Sequence, residues 1–248
     1  MVESRNIQIF EKMPVAKAVS SMAVPTVIGQ LIILFYNMAD TFFVGQTNNP
    51  YMVAGASLIL PVYNISLALA GLAGVGGGAL VSRLLGKGQM REARSVSNFS
   101  VCMAVGLAGM FSLTLLFFRR PILSFLGAGS ETFRYANEYA FCVIVLGGIP
   151  TVLSNTYANL LRSIGESKKA GVGIPLGGLL NVALDPLFMF VLLPRGREIL
   201  GAGLATCLSN IISCGYFLIA IRGLGPDSIL RGGNIRELPA KESIRSIF

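Results

Sequence analysis

The sequence predicts an all-α polytopic membrane protein, a bundle of six transmembrane helices, and three observations carry that prediction. Hydrophobic residues fill 53% of the 248 positions and charged residues only 13%, about half the charged share of a soluble domain. Mean hydropathy is +0.68. Six apolar stretches, at 20–44, 53–82, 97–118, 136–161, 170–193 and 200–222, each reach the roughly 20 residues that a helix needs to cross a bilayer. The absence of His removes imidazole bases, His-ligated zinc and His-based triads together.

The first span follows a polar leader, 1–19, that carries Arg5, Glu11, Lys12 and Lys17. The leader lacks the short apolar core and small-residue cleavage site of a secretory signal, so the first span is expected to remain in the protein. The basic residues then set the orientation. Of 20 Lys and Arg, fifteen fall in the leader, the second-to-third and fourth-to-fifth connections, and the tail from Arg222 onward. Five (Arg119, Arg120, Arg134, Arg195 and Arg197) fall on the other side. The positive-inside rule places both termini in the cytoplasm of a multi-pass cell-membrane protein. Six spans return the chain to its starting side, so count and charge agree. The net charge of +8 is thus topological. The partner expected from it is the lipid bilayer and no nucleic acid.

The spans contain features with plain readings. GLAGVGGG (71–78) has neither the preceding strand nor the following Lys of a phosphate loop; small residues spaced this way let helices approach closely in lipid. Cys102, Cys142, Cys207 and Cys214 lie in apolar stretches without a CxxC pair and read as small core residues. The sequons at 64–66 and 98–100 sit within or beside spans. Pro25, Pro61, Pro150, Pro175 and Pro186 fall inside spans, where each removes a backbone donor and frees a carbonyl. Such breaks are tolerated at membrane depth only where protein or a water-filled cavity satisfies the freed groups.

Two acids stand apart. Asp40 lies late in the first span and Asp185 inside the fifth, where a charged Asp costs about 2.5–3.5 kcal/mol on insertion scales. Asn181 precedes Asp185 by four residues and shares its helix face. Pro186 frees a carbonyl nearby, and Thr206 and Ser209 supply hydroxyls from the sixth span. Carboxylate, amide and hydroxyl oxygens suit a small hard cation such as sodium, and a buried carboxyl group is also a candidate proton acceptor. An aspartyl protease of the bilayer would need Gly-flanked Asp motifs, which MADTF and ALDPL do not provide. No catalytic site or cofactor is expected beyond a coupling ion, and the protein reads as no enzyme.

MAVPTVIGQLIILFYNMADTFFVGQ (22–46), GASLILP (55–61), RLLGKGQMREA (83–93), LLRSIGESKKA (160–170) and LLNVALDP (179–186), in this order and spacing, resemble the multidrug and toxic compound extrusion (MATE) transporters. The resemblance implies a cation-coupled antiporter, driven by sodium or protons, that exports organic, often cationic amphipathic, compounds. It implies that Asp40, Asn181, Asp185 and Thr206 form the coupling-cation site, with sodium as the candidate metal. Pro25 matches a Pro at which the first helix of some members bends, and Gln30, Tyr36 and Asn37 become candidates for the cavity wall. Members have twelve spans in two six-span lobes. This chain is then expected to be the N-terminal lobe at 20–222, with 223–248 a cytoplasmic linker toward a second lobe, either a missing C-terminal half or a second copy. PAKESIRSIF (239–248) is similar to PVAKAVSSMA (14–23), the approach to the first span. Two other readings are a lipid or polysaccharide flippase of the same superfamily, which would favour a more cationic cavity, and a truncated membrane scaffold that transports nothing.

Overall fold

The computed structural model describes residues 14–225, 228–231 and 239; within the first helix, the side chains of Pro25, Gln30 and Asn37, among others, lie outside the described set. The described residues form α1 (Val15–Gly45), α2 (Pro50–Gly86), α3 (Met90–Phe125), α4 (Ser130–Leu146), α5 (Gly148–Ser163), α6 (Ser167–Leu192) and α7 (Glu198–Arg222), with no strand among them. The helices α4 and α5 meet at 49° around Gly147; counted as one bent span, they bring the apolar spans among the described residues from five to six. Each helix extends a few residues beyond its apolar stretch, because end residues with polar side chains continue the backbone ladder at the surface.

Reversals and bends have different local causes. All five reversals carry one residue in the left-handed region: Asn48 and Gly88, Gly127, Gly165 and Gly196. This is the conformation that ends a helix and turns the chain. Gly147 has φ −85° instead, so the chain bends there and continues in the same direction. Its amide donates to the Cys142 carbonyl at 2.9 Å, five residues back, closing a π turn over Phe141–Leu146. Two more π turns, at Leu72–Gly76 and Leu187–Leu192, interrupt α2 and α6, and the second begins directly after Pro186. A non-helical residue, Phe118, kinks α3 three positions before Pro121, where the proline ring crowds the preceding turn.

Hydroxyls brace carbonyls around these bends. Ser112 on α3 donates to the Ile144 carbonyl at 2.8 Å, and the Thr151 hydroxyl adds a bond at 2.7 Å to the Gly147 carbonyl, which the Thr151 amide also meets at 3.0 Å. Ser213 on α7 ties the two helices by donating to the Gly173 carbonyl, inside the regular stretch of α6, at 2.8 Å. The bends expected from in-span prolines are therefore present but selective, and α1 runs unbroken through Pro25.

Small residues set the helix spacing. A Cβ on Gly74 would come within 3.0 Å of Thr156 and Asn159 on α5, and one on Gly77 would overlap Ser100 of α3. The glycine-rich run thus packs α2 against α3 and α5, next to the buried alanines Ala70, Ala73, Ala104 and Ala108. Larger side chains gather at the two ends. One cluster joins Val44, Ile59, Leu115, Ile144, Met189 and Ile199. At the end carrying Arg83, Arg162 and Arg222, the basic end, Leu160, Leu161, Phe217, Ile221, Leu224 and Ile229 are buried. Cys142, Cys207 and Cys214 are buried, whereas Cys102 is exposed on α3 and departs from the core role expected of it. Ser66 and Ser100, the sequon hydroxyls, are buried.

Candidate cation site

The site begins with one turn of α6. Asn181 and Asp185, four residues apart, point into the bundle and are 4% and 0% exposed. The Asn181 amide nitrogen donates to Asp185 Oδ1 at 3.0 Å and to Thr206 Oγ1 of α7 at 3.3 Å. The Thr206 hydroxyl passes its own proton to the Ala202 carbonyl at 3.0 Å, which leaves its oxygen free to accept. Asn181 thus spends both amide hydrogens fixing Asp185 to Thr206, and its carbonyl oxygen stays available as an acceptor.

α1 supplies the second acid. It lies along α6 because each helix offers a glycine where the other presents bulk. The Tyr36 ring occupies the space that a Cβ on Gly178 would fill, and a Cβ on Gly29 would touch Pro175 at 3.5 Å. Asp40, one turn beyond Tyr36, then faces Asp185 with the two carboxyl groups within hydrogen-bonding reach. Asp40 Oδ1 and Asp185 Oδ2 are shielded from solvent and have no hydrogen-bond partner among the described residues. Two like charges about 4 Å apart repel by about 4 kcal/mol even at an effective dielectric of 20. No Lys or Arg is among the groups that act on either acid. A pair so placed must share a proton or hold a cation.

Among the described residues, no three Cys, Asp or Glu side chains converge on one point. The groups that do converge are two carboxylates, a hydroxyl and the Asn181 side chain, which turns its amide nitrogen to Asp185 and Thr206. Carboxylate and hydroxyl oxygens suit sodium, and the two orphaned carboxylate oxygens are the atoms that such an ion would satisfy.

The structure brings Asp40, Asn181, Asp185 and Thr206 together and seats Tyr36 beside Asp40. Gln30 and Asn37 lie outside the described side chains. Sequence reasoning missed Tyr139, which is 7% exposed, with its ring close to both acids and its hydroxyl within reach of Thr206. It also missed Tyr63 of α2, which lies near Tyr36 and Asp40. The signal was present in each case, since a mid-span Tyr or Asn needs a polar partner. A second polar series follows α5: Asn155 donates to the Thr151 carbonyl, Asn159 to the Asn155 carbonyl, and Arg162 to Asn159 Oδ1.

Known proteins share this fold. The MatE family model matches residues 25–187. The chain is 31% identical over its whole length to the multidrug export protein MepA of Staphylococcus aureus (strain NCTC 8325 / PS 47), of which it spans 53%. It superposes on the outward-facing structure of a multidrug resistance MATE family transporter with TM-score 0.86 and 27% identity, covering 98% of this chain and 52% of that one. Against the inward-facing structure of a multidrug resistance MATE family transporter the TM-score is 0.77, again at 27% identity, over 86% of this chain and 47% of that one. The chain spans about half the length of the curated relatives it matches, and the matched part is their N-terminal half. The chain belongs to the MatE family.

Proposed function

We propose that this chain is the N-terminal lobe of a cation-coupled antiporter that exports organic, cationic amphipathic compounds across the cell membrane. The observation that carries the reading is the facing pair Asp40–Asp185, buried without a basic partner and completed by Asn181 and Thr206. Support comes also from relatives named for multidrug export. A second lobe, as the C-terminal half of a longer chain or as a second copy, supplies the other wall of the substrate cavity. Both termini face the cytoplasm, following the basic residues.

The mechanism follows from the pair. Without a cation the two carboxylates repel, and α1 is drawn toward any positive charge that separates them, including an organic cation. Sodium or a proton entering down its gradient neutralises the pair, closes Asp40 onto Asp185 and withdraws the negative field from the cavity. Substrate then leaves. Pro25 gives α1 a position at which to bend during that change, and Tyr36 stands beside Asp40 on the same helix. Alternating access requires only that the cation and the substrate favour different states of the lobe.

The test uses the full-length protein in sealed vesicles, with sodium and pH gradients imposed separately. Asp40→Asn and Asp185→Asn are each expected to abolish gradient-driven export while membrane insertion stays intact. Unchanged export in both variants would overturn the proposal, and the gradient that drives the parent protein identifies the ion.

A further inference from the structure

Three consecutive buried residues of α7, Gly201, Ala202 and Gly203, set the spacing of the helices around the site. A Cβ on Gly201 would lie 2.7 Å from the Phe188 carbonyl oxygen and 2.9 Å from the Met189 Cα. Both are backbone atoms of the π turn that follows Asp185 in α6. A Cβ on Gly203 would lie 2.9 Å from the Cys142 Cβ, in the π turn of α4, and 3.4 Å from the Tyr139 ring. Between the two glycines, the Ala202 carbonyl accepts the Thr206 hydroxyl at 3.0 Å. One turn of α7 therefore touches both π turns and orients the hydroxyl that meets Asn181.

Glycines at a helix contact would by themselves mean close packing in lipid. Here the seated backbone leads straight to the acids. Asp185, three residues before Phe188, is 0% exposed, and its Oδ2 has no hydrogen-bond partner among the described residues. The Asn181–Thr206 bond that joins α6 to α7 is 3.3 Å long, already beyond the usual range, so it has no slack. Ordinary contact begins at 3.4 Å, and a methyl group on Gly201 would drive the α6 backbone outward by about 0.7 Å. Binding constellations need to be held within about 0.5 Å. The displacement is also comparable to the difference in diameter between sodium and potassium. Paired carboxylates are a strong anionic field that favours the smaller ion, provided the helices let their oxygens close on it.

We propose that Gly201 and Gly203 are positioning residues that hold α6 and α4 close enough to α7 for the Asp40–Asp185 site to accept sodium and refuse potassium. The inference rests on the cation-coupled function proposed above and adds the residues that set the size of the ion. Neither glycine touches the ion. Gly201 acts through the backbone that carries Asn181 and Asp185. Gly203 acts through Tyr139, whose ring lies against the turn that carries Thr206 three residues on.

Binding of radioactive sodium to the full-length protein in lipid nanodiscs, with potassium as competitor, tests the proposal. The parent protein should bind sodium, with potassium competing at least about 100-fold more weakly. Gly201→Ala should reduce that preference about tenfold and Gly203→Ala about threefold. Gly215→Ala, on the same helix with nothing within 4 Å of its Cβ, should leave it unchanged. Cys142→Gly removes the Cβ that a methyl group on Gly203 would meet. Combined with Gly203→Ala, it should return the preference to within about twofold of the parent, and this pair decides the matter if Gly201→Ala does not fold. Affinities for both ions that fall equally would mean that the glycines only pack helices, and would overturn the proposal. Failure of Cys142→Gly to restore the preference would overturn the role of Gly203. A parent protein that binds no sodium would overturn the proposal and leave the antiport reading to protons. Sodium binding and export both unaffected by Asp40→Asn and Asp185→Asn would sink the antiport reading itself.

Discussion

The two acids of the site sit on helices that are held very differently. Asp185 is 0% exposed on α6, a helix fixed on one side by the Asn181–Thr206 hydrogen bond and on the other by glycine contacts to α1. Asp40 lies on α1, whose Val27, Ile28, Leu34, Phe35, Met38 and Phe42 are each more than half exposed. Apart from its packing on α6 and lighter contacts with α2 and α7, α1 turns these apolar residues outward. One carboxylate is therefore placed by its scaffold, and the other is brought to it by a helix with few other attachments. A site divided in this way can be made and unmade by moving one helix, which a site built wholly on α6 and α7 could not do.

Substitutions sharpen that contrast. The largest effect should follow loss of either acid: Asp185→Asn or Asp40→Asn should reduce cation affinity by at least about 100-fold, read by sodium- or proton-binding calorimetry of the full-length protein. Asn181→Leu should cost about 10–100-fold in the same measurement, because Asp185 loses its orienting donor while keeping its charge. Gly178→Val should separate α1 from α6 by forcing the Tyr36 ring aside. Overpacking of this kind costs about 1–3 kcal/mol, visible as a lower denaturation midpoint in detergent, whereas Gly215→Ala, with nothing within 4 Å of its Cβ, should change the midpoint by less than about 0.5 kcal/mol. Tyr139→Phe removes one hydroxyl near Thr206 and should cost about 1 kcal/mol. If Gly178→Val left cation binding intact, the role of α1 in completing the site would be lost.

The fold was legible because a bilayer demands long apolar runs, and these appear in composition alone. The acids were legible because a mid-span Asp is costly and therefore rare. The positions of the breaks were not. The bend at Gly147 involves a hydroxyl across the helix pair, since Ser112 meets the Ile144 carbonyl, and the π turns at Leu72–Gly76 and Leu187–Leu192 follow no pattern in the local sequence. The prolines alone do not locate them: Pro61 sits inside a regular stretch of α2, and Pro121, at a real kink, stood just outside the span predicted for it. The tyrosines of the site escaped notice because Tyr is apolar in composition and polar only at its tip. Whether its hydroxyl meets Thr206 or lipid headgroups depends on the helix across from it, which no local pattern reveals.

The measurement closest to the central claim is a double-mutant cycle of Asp40→Asn and Asp185→Asn on cation affinity in the full-length protein. If the two carboxyl groups form one site, the single variants should each lose nearly all binding and the double should lose no more, a coupling of at least about 2.8 kcal/mol, the 100-fold loss of one single variant. Additive losses, or an effect from only one of the two, would mean that α1 and α6 carry separate acids and that no shared cation joins them.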